Sequence, residues 1–285
     1  MRQAGRYLPE YHKFKEKQSL LEMFHDPKTI VEVTKLPFNR LNLDAAILFS
    51  DIMTVLDGLA VPYIFDPGPK VTFSGFARKK NAYTHIEESI KQLKQELSVP
   101  LLGFAGAPYT ILSYFPNPPK DIHAALRQIT DETILYLKLQ IDSGVDAVQL
   151  FESCGHEMSD EQFAQYSAPY LKQIVESIDA PVILFARGQH AHSLAALNPA
   201  AISLDWSYDL PKIRKEIPPS IALQGNLNPE LLYGSQQSIK KAVDRLLEPM
   251  ANEPGYIFNL GHGIRKDTPV ENVEFLTNYV RSRKI

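Results

Sequence analysis

The fold class this sequence predicts is an α/β barrel of the (β/α)8 TIM type, in one domain over residues 1–285, with its first strand truncated. Two observations carry the prediction. Short apolar runs recur along the chain, each followed by turn residues and then a helical stretch. No linker, low-complexity tract or shift of composition divides the 285 residues, a length that suits one barrel.

The elements follow in chain order. Asp26 followed by Pro27 supplies an N-cap and a first-turn proline for a helix over 27–42. The first apolar run, 45–49, is brief and nearly continuous, as befits a parallel strand buried on both faces. Residues 101–105 repeat that pattern, and a long amphipathic helix over 121–142 stops at Gly144. A third run spans 147–151. Ser159-Asp-Glu-Gln162 then has a capping-box pattern that opens a helix running to Ile178. Runs at 182–185, 201–204 and 221–223 follow, then a helix over 235–247, a last run at 256–260 and a closing helix over 270–283. Seven runs fall one short of a closed barrel, so the eighth strand is expected before Arg2. An open seam is then expected between 45–49 and 256–260, with unpaired backbone on both sides. A doubly wound open sheet is the alternative, but no Gly-x-Gly-x-x-Gly follows the first run and no P-loop appears.

Composition excludes several function classes. Hydrophobic residues make up 44% and charged residues 22%, and the formal net charge is −3. Such a chain has no overall field to draw in nucleic acid or an anionic membrane. The single cysteine, Cys154, excludes an intrachain disulfide and a multi-thiolate metal site, and fits a reducing compartment. There is no 18-residue apolar run and no opening signal peptide. The expectation is a cytoplasmic protein with neither nucleic-acid nor membrane partners.

In a parallel barrel, chemistry gathers at the C-terminal ends of the strands. Asp51 follows the first run, Tyr114 lies in the segment after the second, Ser153 follows the third and His262 the last. At the N-terminus Arg2 and Arg6 flank Gln3-Ala4-Gly5, and two guanidinium forks on a short loop suit a carboxylate or phosphate clamp. Each residue also has a plainer reading. The arginines suit a solvated basic terminus, Asp51 a helix N-cap, Tyr114 core packing and Ser153 a turn. Gly261 and Gly263 would let the backbone around His262 approach a ligand closely. His190 and His192 have a spacing seen in metal sites, but alternate strand residues face opposite ways. One cysteine and scattered histidines argue against zinc. Trp206 and Cys154 read as packing, and neither a Ser-His-Asp triad nor a carboxylate pair can be assembled.

Taken together, Arg2-Gln-Ala-Gly-Arg-Tyr-Leu-Pro-Glu10, Phe49-Ser-Asp-Ile52, Gly103-Phe-Ala-Gly-Ala-Pro-Tyr-Thr110, Leu204-Asp-Trp206, Leu223-Gln-Gly-Asn226 and Asn259-Leu-Gly-His-Gly263 resemble the uroporphyrinogen decarboxylase family, in order and over essentially the whole chain. The resemblance implies a (β/α)8 barrel, commonly a homodimer, that works without metal or organic cofactor in haem biosynthesis. The implied carboxy-lyase reaction converts four acetate side chains of uroporphyrinogen III to methyls, giving coproporphyrinogen III. The resemblance also implies roles. Arg2, Gln3, Ala4, Gly5 and Arg6 would hold substrate carboxylates, with Arg2 a further candidate for proton donation. Asp51 would bind the pyrrole N–H groups at the macrocycle's centre, and Tyr114, Ser153 and His262 would complete the site. Members usually carry a strand just before Met1 and a basic helical stretch after Tyr114, and usually have an Asp-Ser-Trp-Ala type of segment where this chain has Glu152-Ser-Cys-Gly155. Two alternatives stand beside this reading. One is a methyltransferase of the same superfamily, acting on a corrinoid or thiol and using zinc with a cysteine ligand. The other is a tetrapyrrole-binding protein without catalysis.

Overall fold

All seven apolar runs become parallel strands of one sheet in the structure, a computed structural model that describes residues 3–283. In chain order the strands are β1 (Ala46–Ile47), β2 (Tyr63–Phe65), β3 (Pro69–Val71), β4 (Leu101–Gly106), β5 (Ala147–Glu152), β6 (Val182–Ala186), β7 (Ala201–Ser203), β8 (Ala222–Leu227) and β9 (Tyr256–Leu260). The sheet runs β1-β4-β5-β6-β7-β8-β9, with pairings such as Leu102 opposite Ala147 and Val148 opposite Val182. All five residues of β6 are buried, as a strand covered on both faces requires. The antiparallel β2–β3 hairpin stands apart from the sheet.

Among the described residues β1 and β9 do not pair, so the barrel is open along the expected seam. The edge of β1 is not bare. The Gln3 side-chain amide donates to the Ala45 carbonyl at 2.7 Å and accepts from the Ile47 N–H at 2.8 Å. Those are the bonds a neighbouring backbone would make, so one side chain blunts the edge. A cluster of buried side chains spans the same region. Tyr7, Leu8, Tyr11, Met23 and Phe24 pack with Leu227, Leu260, Val273 and Leu276, which joins the N-terminal segment to the C-terminal one. The larger cluster fills the rest of the barrel and its helical coat.

Local sequence explains most helix ends. Asp26 accepts from the Thr29 N–H, and the Ser159 capping box forms with Gln162. The helix opened by Asp121 is Ile122–Ser143, and Gly144 caps it at φ +120°. Two expected helices are each shorter than the sequence pattern suggests. The one over 27–42 gives way at Lys35 to a 3-10 turn, Leu36–Asn39, because Pro37 lacks the N–H that would continue it. The one running to Ile178 is two helices, Asp160–Tyr166 and Ala168–Ser177, since Pro169 suits only a first turn. Helices Pro9–Lys15, Leu20–His25 and Thr84–Glu96 and the hairpin are additions that the apolar runs did not signal. No helix among the described residues is long and apolar enough to cross a membrane.

Candidate active site

The open mouth of the barrel contains a cavity of about 400 Å³. Of the nine sequence-predicted site residues, Gln3, Ala4, Gly5, Arg6, Asp51, Tyr114, Ser153 and His262 all line it. The ninth, Arg2, lies outside the described residues. The chain separates these groups by up to 259 positions; the barrel brings them together because each follows the C-terminal end of a strand or sits on the loop laid across the seam.

Each group is positioned by identifiable contacts. Tyr7 donates to the Gln3 carbonyl at 2.5 Å, and the Leu8 N–H donates to the Gly5 carbonyl, so the loop turns back on itself. Arg6 is exposed at the rim and forms no ion pair among the described residues. An added Cβ on Gly5 would meet nothing within 4 Å, so packing does not demand glycine there. Asp51 does serve as an N-cap: its Oδ1 accepts from the Met53 N–H at 2.9 Å at the head of the 3-10 turn Ile52–Thr54. Capping and lining are not alternatives, because the cap is what fixes the carboxylate at the cavity wall.

Apolar rings form much of the wall. Phe104, Phe151 and Phe185 follow one another at centroid distances of 5.7 and 5.8 Å. His262 sits edge-on to Phe185 and Trp206 at 6.3 and 6.0 Å, which fixes the imidazole plane. Gly261 is needed for a different reason from ligand approach: a Cβ there would lie 2.5 Å from the Trp206 nitrogen. On another side, Tyr11, Phe24 and Phe65 join Phe49 in a second ring group. Arg265 and Lys266 also line the cavity and were missed by the sequence reading; their signal was an adjacent basic pair just past His262. Arg265 pairs with Glu230.

Behind Ser153, Glu152 is wholly buried at the end of β5. Burial pushes its carboxyl up to about 7, against opposing bonds from the Thr110 and Ser167 hydroxyls. Cys154 donates its backbone N–H to Thr110 and accepts at Sγ from Ser113, and burial raises its thiol. His190 is buried, with Nε2 2.9 Å from the Gly155 carbonyl and its ring stacked on Phe163 at 4.2 Å. His192 points away into an exposed contact with Glu216. Gln224 and Asn226 lie within β8, not past its end. Gln224 bonds Ser203 and Gln149 inside the barrel, and Asn226 bonds the Asp205 and Tyr208 carbonyls. Among the described residues the only His/Cys/Asp/Glu group with metal-ligand spacing is His25, Asp57 and His85; it excludes Cys154, and none of its members lines the cavity.

The sequence profile described as "Uroporphyrinogen decarboxylase (URO-D)" matches residues 1–283. A uroporphyrinogen decarboxylase of Protochlamydia amoebophila is 40% identical over an alignment that covers 100% of this chain and 87% of that protein. The corresponding protein of Carboxydothermus hydrogenoformans is 37% identical, covering 98% and 90%. The first alignment spans 316 positions, more than the 285 residues of this chain, so that relative carries residues this chain lacks. Among solved structures, a methyltransferase from Methanosarcina mazei superposes with a TM-score of 0.79 at 19% identity, over 92% of this chain and 90% of that one. A B12-independent methionine synthase from Shewanella superposes at 0.65 with 11% identity, over 90% and 88%. These two likenesses are of fold.

Proposed function

The chain belongs to the uroporphyrinogen decarboxylase family, and from that premise we propose how its cavity carries out the family's reaction. It is a carboxy-lyase of haem biosynthesis, converting the four acetate arms of uroporphyrinogen III to methyls and giving coproporphyrinogen III. The observation that carries the reading is the convergence of Asp51, Arg6, Tyr114, Ser153 and His262 on one ring-lined cavity.

The substrate carries eight carboxylates at its periphery and four pyrrole N–H donors at its centre. Arg6, with Arg2 before it, takes the peripheral carboxylates through paired charge-assisted hydrogen bonds. Gln3, Ala4 and Gly5 shape the loop that presents them. Asp51 accepts from the inward N–H groups, for which a carboxylate is the strongest available acceptor. Tyr114, Ser153 and His262 orient the arms.

In each round a proton adds to the pyrrole α-carbon next to the carbon bearing the acetate arm, leaving the positive charge shared between the ring nitrogen and the arm-bearing carbon. The resulting cation draws in the electrons of the breaking C–C bond, and CO2 leaves. The methylene carbon then takes up a proton while the ring gives one back, so each arm consumes one proton net and needs no oxidant. Ionised Asp51 stabilises the cationic ring in a cavity of low dielectric. Arg2 is the group we assign to proton delivery. The reaction so written uses no cofactor or metal. The single domain works as a cytoplasmic homodimer, with neither nucleic acid nor membrane as partner.

The test is anaerobic incubation of the purified protein with uroporphyrinogen III, following CO2 release and the tetrapyrrole products by chromatography. Coproporphyrinogen III with CO2 is the expected result. Binding without CO2 release would favour the non-catalytic tetrapyrrole-binding alternative. Sedimentation of the same sample checks the dimer.

A further inference from the structure

Outside the cavity, three side chains far apart in sequence meet. His25 ends the helix Leu20–His25, Asp57 lies in the short helix Val55–Gly58, and His85 is in the first turn of Thr84–Glu96. A ring nitrogen of each histidine and a carboxylate oxygen of Asp57 lie within 4.8 Å of one another. His25 Nδ1 is 2.8 Å from the Leu21 carbonyl, and its Nε2 is 2.8 Å from Asp57 Oδ2. The two imidazole rings are tilted at 41° to each other with a centroid distance of 4.8 Å.

We propose that His25, Asp57 and His85 form a binding site for one divalent first-row transition ion of the zinc class. Two imidazoles and a carboxylate are a donor set such ions favour. The Leu21 carbonyl fixes the proton of His25 on Nδ1 and so presents Nε2 as the ligand atom, the outer-shell arrangement common to metal-bound histidines. His85 supplies the second, independent sign. Its Nε2 is buried and has no hydrogen-bond partner. Such an orphan calls for a bound ion or water. Bond lengths of 2.0–2.2 Å around zinc put ligand atoms about 3.3 Å apart in a tetrahedron. The existing spacings bracket that value, with His25 Nε2 2.8 Å from Asp57 Oδ2 and all three ligand atoms within 4.8 Å of one another. The His25 side chain keeps 36% of its exposure, which leaves an entry path and room for a water as fourth ligand. Lys79, whose charge acts on both histidines, is the nearby group that opposes binding.

The site would fasten the N-terminal segment to the barrel. Phe24, the neighbour of His25, lines the cavity and packs on Phe49 and Phe65. An ion at His25 therefore pins a wall of the candidate active site from behind.

The experiment uses the tag-free full chain, stripped with a chelator and titrated with Zn(II) by calorimetry, with Co(II) absorption as a second probe. One equivalent per chain at micromolar affinity is expected, together with a rise in melting temperature on Zn(II) addition. His85→Ala and Asp57→Asn should each weaken binding at least tenfold, since even outer-shell losses cost that much. His192→Ala, on an exposed histidine elsewhere, should leave binding unchanged. Circular dichroism establishes that each variant is folded; should His85→Ala not fold, Asp57→Asn decides alone. Absence of a stoichiometric site, or a site indifferent to the folded His85 and Asp57 variants, overturns the proposal.

Discussion

The two halves of the barrel mouth use similar residue types for opposite ends. On the side formed by the N-terminal loop, β1, β4, β5 and β9, the polar groups Arg6, Asp51, Tyr114, Ser153 and His262 line the cavity. On the side formed by β6, β7 and β8, Asp205, Asn226, Tyr208 and His190 direct their hydrogen bonds at the protein itself. Asp205 accepts from the Gly188 N–H at 2.9 Å and from Ser207, and Tyr208 donates to the Gly188 carbonyl at 2.8 Å. Motifs of equal prominence in the sequence therefore have different destinations. Asp205, Asn226 and Tyr208 are held against backbone groups of the loops after β6 and β7, whereas Asp51 bonds the Met53 N–H and still lines the cavity.

The contrast predicts a separation of effects. Asp51→Asn keeps the cap, because asparagine caps as well as aspartate, while removing the charge. Turnover should fall about 10²–10³-fold with little change in melting temperature, read by CO2 release and thermal unfolding. Near-full decarboxylation would sink the assignment. On the same side, Arg6→Lys and Arg2→Lys should each raise KM roughly tenfold, because an ammonium cannot reproduce a bidentate carboxylate contact. If both leave KM and kcat unchanged, the clamp is wrong.

The scaffold half should answer in stability instead. Asp205→Ala removes acceptors from the Gly188 and Ser207 N–H groups at a residue only 5% exposed, at a cost of roughly 1–3 kcal/mol. Melting temperature should drop by several degrees with KM little altered; a large KM change at unchanged stability would move Asp205 to the functional side. The last effect is read against pH and concerns Glu152. Burial raises its carboxyl, so the folded protein favours the neutral form. Its contribution to stability is therefore fully present below the ordinary value near 4.5 and is lost as pH rises to about 7. Between those limits the slope is at most about 1.4 kcal/mol per pH unit. Glu152→Gln should flatten the fall in melting temperature across that window relative to the parent, measured as the difference between the two profiles.

Sequence by itself determined the seven parallel strands, the starts of five helices and eight of the described wall groups, because these rest on local signals. Apolar continuity marks a strand buried on both faces, Asp26, Asp121 and Ser159 mark caps, and strand ends mark the mouth. The runs also placed the open seam, since seven strands leave an edge on each side of it. Tertiary structure alone decided what fills that edge and which polar groups face inward. The Gln3 amide on β1, the joining of His25, Asp57 and His85, and the turning of Asp205 toward Gly188 each depend on residues at least 17 positions apart. The reason is physical: a hydrogen bond or a ligand cluster is chosen by whatever lies within about 3 Å in space, and only folding sets that neighbourhood.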